Sequence, residues 1–429
     1  MTSNSAKAAP GLRYGRSLAS AVLAALMVRL VVVAFVYQGF LDPGRDHWEF
    51  GYEVGMVARS IATGHGFANP FWGETGPTAW LTPVSPYLLS RIFMLFGIKT
   101  KAAAIAMLGL NSLFSALTCV PIFFVAKKTF GFRVAKWAAW IWAFFPYAIF
   151  YSADWMWYDC FLTLLLTLLI LFVLHLENVT SLWAWTGFGL LAGLTSLTTP
   201  VVLGVLPFMM GWVCYRLRQR ARNWLVPLTT AMLALFATIA PWLVRNYQTF
   251  HKPVFLKDNF WMEMCVGNVG NDLHWWNGAV HPAGSAAEAT EIQRVGELAY
   301  LDEKRNLALS FIETHPGIYL WRCVRRIIFM WTGFWSFQRE YLREEPFDPA
   351  NIFFCTLFTV FALVGLRKAF RDRRDVAILY ALILGTFPII FYLTHPDLSY
   401  RHPIDPEIVI LGAYAIVSRQ SLSKGESPS

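Results

Sequence analysis

Long runs of apolar residues, separated by short polar segments, occupy most of this chain. They are of helical length and do not alternate every second residue as lipid-facing strands do. Only helices and closed barrels satisfy their backbone hydrogen bonds in lipid. The pattern therefore predicts an all-α, polytopic helical bundle with roughly ten transmembrane helices of about 20 residues each. The runs lie at residues 17–39, 102–126, 132–152, 157–176, 182–199, 200–215, 223–244, 351–366, 375–394 and 404–418.

The composition agrees with a membrane protein and explains the charge. Of 429 residues, 56% are hydrophobic and 15% are charged, with a mean hydropathy of +0.45. Soluble domains have about 25% charged residues. The net charge of +9 collects in short loops such as Lys127–Lys136, Arg216–Arg222 and Arg367–Arg374. Such loops face the cytoplasm by the positive-inside rule, so the charge does not call for nucleic acid as a partner.

The same rule predicts the orientation of the chain. Basic residues precede the first span, and an even number of spans returns the chain to its starting side, so we expect both termini to be cytoplasmic. One transmembrane domain then covers residues 1–429 in a bacterial inner or plasma membrane, with outer loops at 40–101, 245–350 and 394–403. The inner loops are short and basic, whereas the outer loops carry unusual polar residues. We therefore expect the working face to be external.

Two segments of the second outer loop are amphipathic. Ser285–Glu313 places apolar residues at helical spacing among charges, which predicts a helix lying on the outer surface. Gly317–Phe337 is apolar enough to cross the membrane but contains Arg322, Arg325 and Arg326. A crossing there would turn the basic loop at 367–374 outward. We therefore favour a re-entrant or interfacial helix whose arginines face a watery cavity.

The first outer loop carries a cluster of titratable groups directly after the first span. Asp46, His47, Glu49 and Glu53 lie within eight positions. Glu49 and Glu53 are four apart, so a helix would place both on one face. Such a pair can hold a divalent cation, or one carboxylate can act as a base whose pKa is raised by the other. The alternative is a solvated helix start, where acidic residues favour the helix dipole.

The same loop continues into a rigid, proline-rich stretch. Thr75–Trp80 is followed by Pro83 and Pro86, and residues of these types fix the backbone. This stretch can shape a pocket wall or act as a structural plug on the membrane surface.

Cationic residues stand at two outer membrane boundaries. Arg245 and Lys252 follow the seventh span, where positive charge opposes the usual bias and calls for an anion such as a lipid phosphate. Simple snorkelling of a terminal arginine is the alternative. In the turn Tyr400–Pro406, Arg401 offers a bidentate fork to phosphate, His402 can donate or titrate, and Asp405 can orient Arg401. A helix cap with proline in its first turn is the alternative there.

Arg29 is a single charge inside the first span. A charge at that depth costs about 3 kcal/mol on insertion scales. We expect it to face the bundle and meet a carbonyl or a carboxylate, with Asp159 as one possible partner.

The order of these segments resembles the GT-C superfamily of membrane glycosyltransferases. Within it, the chain is most similar to the protein O-mannosyltransferase and aminoarabinose transferase-like branch, which includes the dolichyl-phosphate-mannose-protein mannosyltransferases. The resemblance covers residues 15 to 418. It is carried by the segments DHWEFGYEVGMVARSIATGHGF, TAWLTPVSPYLLSRIFMLFG, IWAFFPYAIFYS, APWLVRNY and YRHPIDP.

This resemblance implies a polyprenyl-phosphate-linked sugar as donor and inverting transfer, hexosyltransferase-like, on the periplasmic or lumenal face. A first-loop carboxylate would be the base, with Glu53 or Glu49 first and Asp46 third. The family often has adjacent Asp and Glu where this chain has Asp46 and His47, so the base and any metal held by Glu49 and Glu53 stay open. The groups implied at the donor phosphate are Arg401, Arg245, Lys252, His402 and Tyr400.

Two other functions compete with a glycosyltransferase. A lipid-linked-sugar transporter or flippase would show ionisable groups at mid-span in repeated halves, and the chain shows no clear repeat. A non-catalytic assembly protein would not need an acidic cluster together with basic outer turns. The acceptor stays open and can be a protein hydroxyl, lipid A, a wall polymer or another glycan.

Overall fold

The computed structural model describes residues 10–36, 50–154, 156–270, 276–346 and 348–422. The predicted all-α architecture is confirmed, and within these ranges the only extended pairing is an isolated bridge between Ala68 and Pro77. The helices of the first half of the chain are α1 (Pro10–Val31, continued by a π-helical turn, Val32–Val36), α2 (Tyr52–Ala62), α3 (Val84–Phe96), α4 (Lys101–Leu117), α5 (Cys119–Phe130), α6 (Phe132–Ala143), α7 (Pro146–Ala153), α8 (Asp159–Leu176), α9 (Leu182–Thr198), α10 (Leu206–Gln219) and α11 (Leu225–Phe250).

The second half of the chain begins with short helices and ends with long ones. They are α12 (Phe260–Asn268), α13 (Ala286–Val295), α14 (Glu297–Thr314), α15 (Pro316–Thr332), α16 (Arg339–Glu344), α17 (Asp348–Asp372), α18 (Arg374–Thr386), α19 (Ile389–Leu393) and α20 (Asp405–Leu422). Three 3-10 turns, Pro200–Gly204, Gly278–Val280 and Ser399–Ile404, lie between them.

The described part of each predicted span is mainly helical. Among the described residues, six helical segments are long and apolar enough to cross a membrane, at Gly15–Phe35, Lys101–Phe130, Asp159–Leu176, Leu225–Phe250, Asp348–Asp372 and Arg374–Leu393. The runs at 132–152 and 200–215 are not continuous α-helices as expected. Pro146 starts a new helix after a break at Phe144, and Pro200 opens a 3-10 turn, because proline cannot donate to the preceding turn.

Arg29 lies at the break between α6 and α7. Its side chain is fully buried, and it donates hydrogen bonds to the carbonyls of Trp142 (3.2 Å) and Ala143 (3.0 Å) and to Ser115 Oγ (2.9 Å). Pro146 has no N–H to continue the helix back to the Trp142 carbonyl. Of the two kinds of partner expected for Arg29, the structure shows backbone carbonyls exposed by this proline.

Helix α8 separates two chemically different ends of the bundle. Beyond its last turn, Glu177 meets Arg216 (Oε2 to Nε, 3.2 Å), and Arg216 also pairs with Asp375, so the basic short loops gather there. At its first residue, Asp159 lines a cavity together with Tyr400. The helix has 18 residues, so the two ends are roughly 27 Å apart at 1.5 Å per residue.

Two expectations for the second outer loop need correction. Ser285–Glu313 is not one helix, because Gly296 adopts φ 84° and divides α13 from α14. The buried arginines of α15 meet the protein backbone rather than a watery cavity. Arg326 donates to the Leu393 carbonyl (2.9 Å) and to Asn268 Oδ1 (2.7 Å), and Arg322 donates to the Asn268 carbonyl, so they bind the ends of α19 and α12.

Candidate active site

Glu53 is the member of the predicted acidic cluster that the structure describes, since Asp46, His47 and Glu49 lie outside the described residues. It is the second residue of α2. This helix begins directly after Gly51, whose φ of 57° favours glycine. Its side chain is buried, with 7% of the residue exposed, and no described residue hydrogen-bonds its Oε2. A buried carboxylate oxygen without a partner is costly, so its place in the fold needs a functional explanation.

His281 is a titratable neighbour of Glu53. Its Nε2 lies 3.8 Å from Glu53 Oε1, and its residue is 4% exposed. Aromatic rings surround the imidazole, including Trp80 at 5.6 Å and Phe71 at 5.7 Å between ring centroids. The proline-rich first-loop stretch therefore lies beside the Glu53–His281 pair.

A second histidine–carboxylate pair adjoins the first. His395 Nδ1 lies 3.4 Å from Glu263 Oε2, and His395 Nε2 lies 3.0 Å from the Tyr400 hydroxyl. This pair forms because α12 approaches the third outer loop closely. A Cβ added at Gly267 would lie 2.1 Å from the Thr394 carbonyl oxygen. The third outer loop thus reaches the first-loop site through His395 and Tyr400.

Burial and neighbouring charges set the protonation of the cluster. Burial raises the pKa of Glu53 to about 7, with a further rise from Glu263 and an opposing effect of Lys257. Burial lowers the pKa of His281 to about 3 and that of His395 to about 3, so both imidazoles are neutral at physiological pH. Burial also raises the pKa of Glu263, which Lys257 opposes. Glu53 is thus poised to exchange a proton near neutral pH.

Lys257 is a cation whose charge acts on both Glu53 and Glu263. Burial lowers the pKa of its ammonium group, while Glu263, Glu53 and Asp258 raise it. A single positive charge among several carboxylates can bind an anionic substrate group while it limits the charge repulsion between them.

A network of buried polar groups holds the first-loop wall in place. Thr78 donates its hydroxyl hydrogen to Glu297, and the Ala79 N–H donates to Glu297 Oε1 (2.6 Å). The Asp258 N–H donates to the Ala79 carbonyl (3.1 Å). Burial raises the pKa of Asp258 to about 6 and that of Glu297 well above its ordinary value. Both carboxyl groups therefore favour the protonated form more than exposed carboxyl groups do.

Arg245 belongs to the same wall. Its guanidinium donates to the carbonyls of Thr78 (2.7 Å) and Phe67 (2.8 Å) and lies over the Trp242 ring, with its Cζ 4.9 Å from the centroid. Arg245 thus ties the first loop to α11. Lys252, seven residues further on, is exposed just after α11.

The predicted residues of the turn Tyr400–Pro406 lie in two separate parts of the structure. Tyr400 stacks on Phe391 and contacts His395, on the side of the carboxylate cluster. Arg401 instead pairs with Asp405 (Nε to Oδ1, 3.0 Å) and donates to Thr359 Oγ1 (3.3 Å). His402 Nδ1 lies 3.2 Å from Asp405 Oδ2. The expected orientation of Arg401 by Asp405 is thus present, inside the bundle between α17 and α20.

A small cavity of about 10 Å³, room for about one water molecule, lies between this turn and α8. Its lining combines polar and apolar side chains. Tyr158 is close enough to Glu53 and Glu263 for their charges to raise its pKa, although burial is the larger cause. The lining includes Tyr158, Asp159, Tyr400, Leu162, Val201, Phe387 and Phe391.

The described residues give no support to a resident metal centre. No group of three or more His, Cys, Asp or Glu side chains in the described ranges is arranged to hold a metal ion. Glu53 offers one unpartnered carboxylate oxygen, and Glu49, its predicted companion, is outside those ranges.

Sequence reasoning missed His281, Glu263, His395 and Lys257. A local signal was present for Glu263, which is the only charged residue in the apolar helix α12. A titratable side chain isolated among apolar residues often has a functional reason. His281 and His395 gave no comparable signal, because what distinguishes them is contact with carboxylates distant in sequence.

The described residues have the fold of an archaeal oligosaccharyltransferase. Solved structures support this assignment. The archaeal oligosaccharyltransferase AglB from Archaeoglobus fulgidus, in complex with an inhibitory peptide and a dolichol-phosphate, aligns with a TM-score of 0.56 and 14% identity over 97% of this chain and 52% of that chain. A complex of the Archaeoglobus fulgidus oligosaccharyltransferase with Zn and sulfate aligns with a TM-score of 0.53 and 13% identity over 95% of this chain and 49% of that chain.

ArnT from Cupriavidus metallidurans bound to undecaprenyl phosphate aligns with a TM-score of 0.42 and 13% identity over 96% of this chain and 81% of that chain. No protein-family model and no curated protein matches the chain. This chain spans about half the length of the oligosaccharyltransferase. At such identities the likeness establishes the fold, and the activity has to be argued from the site.

Proposed function

We propose that this protein is a membrane glycosyltransferase that moves a sugar from a polyprenyl-phosphate donor to a hydroxyl-bearing acceptor. The observation that carries the proposal is Glu53, a buried carboxylate with an unpartnered oxygen and a pKa raised to about 7, at one end of a membrane bundle. The fold supports it, because the oligosaccharyltransferase with the same fold was solved with a dolichol-phosphate.

The proposed chemistry is an inverting displacement. The acceptor hydroxyl oxygen attacks the anomeric carbon, Glu53 accepts the hydroxyl proton, and the bond from the anomeric carbon to the phosphate oxygen breaks with its electron pair on the phosphate. The products are the glycosylated acceptor and the polyprenyl phosphate. A base on the face opposite the leaving group is the arrangement that inverting hydrolases use for water. Phosphate is a good leaving group, so it needs charge neutralisation more than protonation.

The cluster supplies that neutralisation at Lys257, with Tyr400 as a hydrogen-bond donor. Lys257 interacts electrostatically with Glu53 and Glu263, so an anionic donor group would find a cation next to the base. Arg401 and His402 remain candidates for the donor phosphate if the turn rearranges, since both contact Asp405 in this structure. Arg245 acts mainly on the first-loop wall in this proposal, and exposed Lys252 is placed to meet lipid phosphates outside the site.

We further propose that a hexose is transferred on the outer face of a bacterial inner membrane, with both termini cytoplasmic. The separation of the acidic end from the basic short loops by α8 supports this orientation through the positive-inside rule.

The test is a transfer assay with a panel of radiolabelled polyprenyl-phosphate sugars and membrane extracts as acceptor source. Glu53→Gln is expected to lose at least about 100-fold in transfer, because general base catalysis contributes about 10²–10⁴-fold. Glu313→Gln, an exposed carboxylate of α14, is the matched control and is expected to transfer like the wild type. Glu49→Gln and Asp46→Asn test the other first-loop candidates.

Full activity of Glu53→Gln with loss in Glu49→Gln would move the base to Glu49 and preserve the activity. Full activity in all three first-loop variants would remove the first-loop base from the proposal. Labelled lipid that appears across sealed vesicles without a new glycosidic bond would favour a flippase instead.

A further inference from the structure

His281 has a defined tautomer. Its Nδ1 accepts a hydrogen bond from the Ala283 N–H at 3.0 Å. Burial lowers the pKa of His281 to about 3, so the imidazole is neutral and has one donor and one acceptor nitrogen. Because Nδ1 is the acceptor, Nε2 carries the proton, and Nε2 is the atom that lies 3.8 Å from Glu53 Oε1.

The orientation of this imidazole is also fixed. Phe71 and Trp80 meet it edge to face at interplanar angles of 79° and 77°, and Trp276 meets it at 53° with 5.5 Å between centroids. The Ser285 N–H donates to the His281 carbonyl at 3.0 Å, which closes the turn that leads into α13. A ring flip would therefore cost both the hydrogen bond at Nδ1 and these ring contacts.

The two oxygens of Glu53 differ in their surroundings. Oε1 faces the His281 Nε2–H, whereas no described residue hydrogen-bonds the buried Oε2. The other charged groups that act on this pair are Glu263, Lys257 and Lys304, and none of them forms a described hydrogen bond with Glu53. His281 is thus the group that can distinguish one carboxylate oxygen from the other.

We propose that His281 is a positioning residue that donates from Nε2 to Oε1 of Glu53 and thereby directs Oε2 at the acceptor hydroxyl. This inference rests on the proposed function of Glu53 as base. The separation of 3.8 Å exceeds a hydrogen bond, and a small rotation of the carboxylate closes it when the acceptor binds. Catalytic hydrogen bonds are often long before substrate is bound.

Three substitutions separate donation from packing. His281→Gln places an amide N–H near the position of Nε2, whereas His281→Asn reaches only the position of Nδ1. His281→Phe keeps an aromatic ring among Phe71, Trp80 and Trp276 and removes the donor. We expect kcat to fall about 10- to 100-fold in the Asn and Phe variants, the size of effect that a misplaced reacting group produces. KM for the donor should change less than about twofold, and the Gln variant should recover most of kcat.

Each result decides the inference. Wild-type kcat in His281→Phe, or equal losses in the Gln and Asn variants, would overturn it, since packing alone would then explain the histidine. Size-exclusion profiles and thermal unfolding confirm that each variant is folded before it is assayed. Glu53→Gln in the same assay separates a failure of Glu53 as base from a failure of His281 as positioning residue. If it retains transfer, the proposed base is wrong, whereas an inactive Glu53→Gln with a fully active His281→Phe removes His281 alone.

Discussion

Glu53→Gln is expected to make the protein more stable at alkaline pH while it abolishes transfer. Burial raises the pKa of this carboxyl from 4.5 to about 7. The folded state therefore holds the proton more tightly than the unfolded state does. The contribution of Glu53 to the free energy of unfolding is most favourable below pH 4.5 and falls as the pH rises toward 7. Above pH 7 the folded state has to bury an ionised carboxylate, and the free energy of unfolding is lowered by the full cost. Glutamine has no charge to desolvate, so the variant escapes this cost.

The size of the gain follows from the two pKa values. Their difference, from 4.5 to about 7, corresponds to about 3 kcal/mol at about 1.4 kcal/mol for each pH unit. We expect Glu53→Gln to gain up to about 3 kcal/mol relative to the wild type at pH 8 and about 1 kcal/mol at pH 5. Such a gain would show that the protein gives up stability to keep a base at this position.

The measurement is thermal unfolding of the purified protein in one detergent at pH 5 and pH 8. Glu313→Gln is the control, because its carboxylate is exposed and should show no gain that depends on pH. A Glu53→Gln variant less stable than the wild type at pH 8 would refute the reasoning. A gain of equal size at both pH values would do so as well, because it would have a cause other than charge burial.

Two further predictions concern the surroundings of the site and of the helix break. Lys257→Met should move the acidic limb of the pH–rate profile above about pH 7, and Glu263→Gln should move it below about pH 7. The reason is that Lys257 lowers the pKa of Glu53 whereas Glu263 raises it. Shifts in the same direction would contradict this electrostatic effect on Glu53. Arg29→Met should lower the free energy of unfolding by about 1–3 kcal/mol, because it leaves the carbonyls of Trp142 and Ala143 without their side-chain donor. The loss should be smaller in a Pro146→Ala background, where a backbone N–H can continue the helix, and equal losses in both backgrounds would argue against this role of Arg29.

The bundle could be predicted from sequence because lipid imposes a local rule. A span has to be apolar along its own length, so ten runs were visible, and their described parts are mainly helical. The breaks at Phe144 and at Pro200 were harder to place. A proline inside an apolar run can kink a helix or end it, and which occurs depends on a distant donor such as Arg29.

The candidate site could be predicted only in part, because its contacts are not local. Glu53 was visible as an acidic residue beside an apolar span. Its partner His281 is 228 positions further along the chain. The partner of Arg401 could not be predicted either. Both an external phosphate and Asp405 were compatible with the sequence, and the observed contact with Asp405 depends on the packing of α17 against α20.

The wall that Glu297 secures has a consequence for biosynthesis. Ala79 and Glu297 are 218 residues apart, and ribosomes add about 5–20 residues each second. The first-loop segment that contains Thr78 and Ala79 is synthesised first and must therefore wait roughly 10–40 s for Glu297. During that interval the Thr78 hydroxyl and the Ala79 N–H lack the carboxylate of Glu297 as acceptor. Slowed translation between Ala79 and Glu297 should therefore expose the nascent loop to proteases.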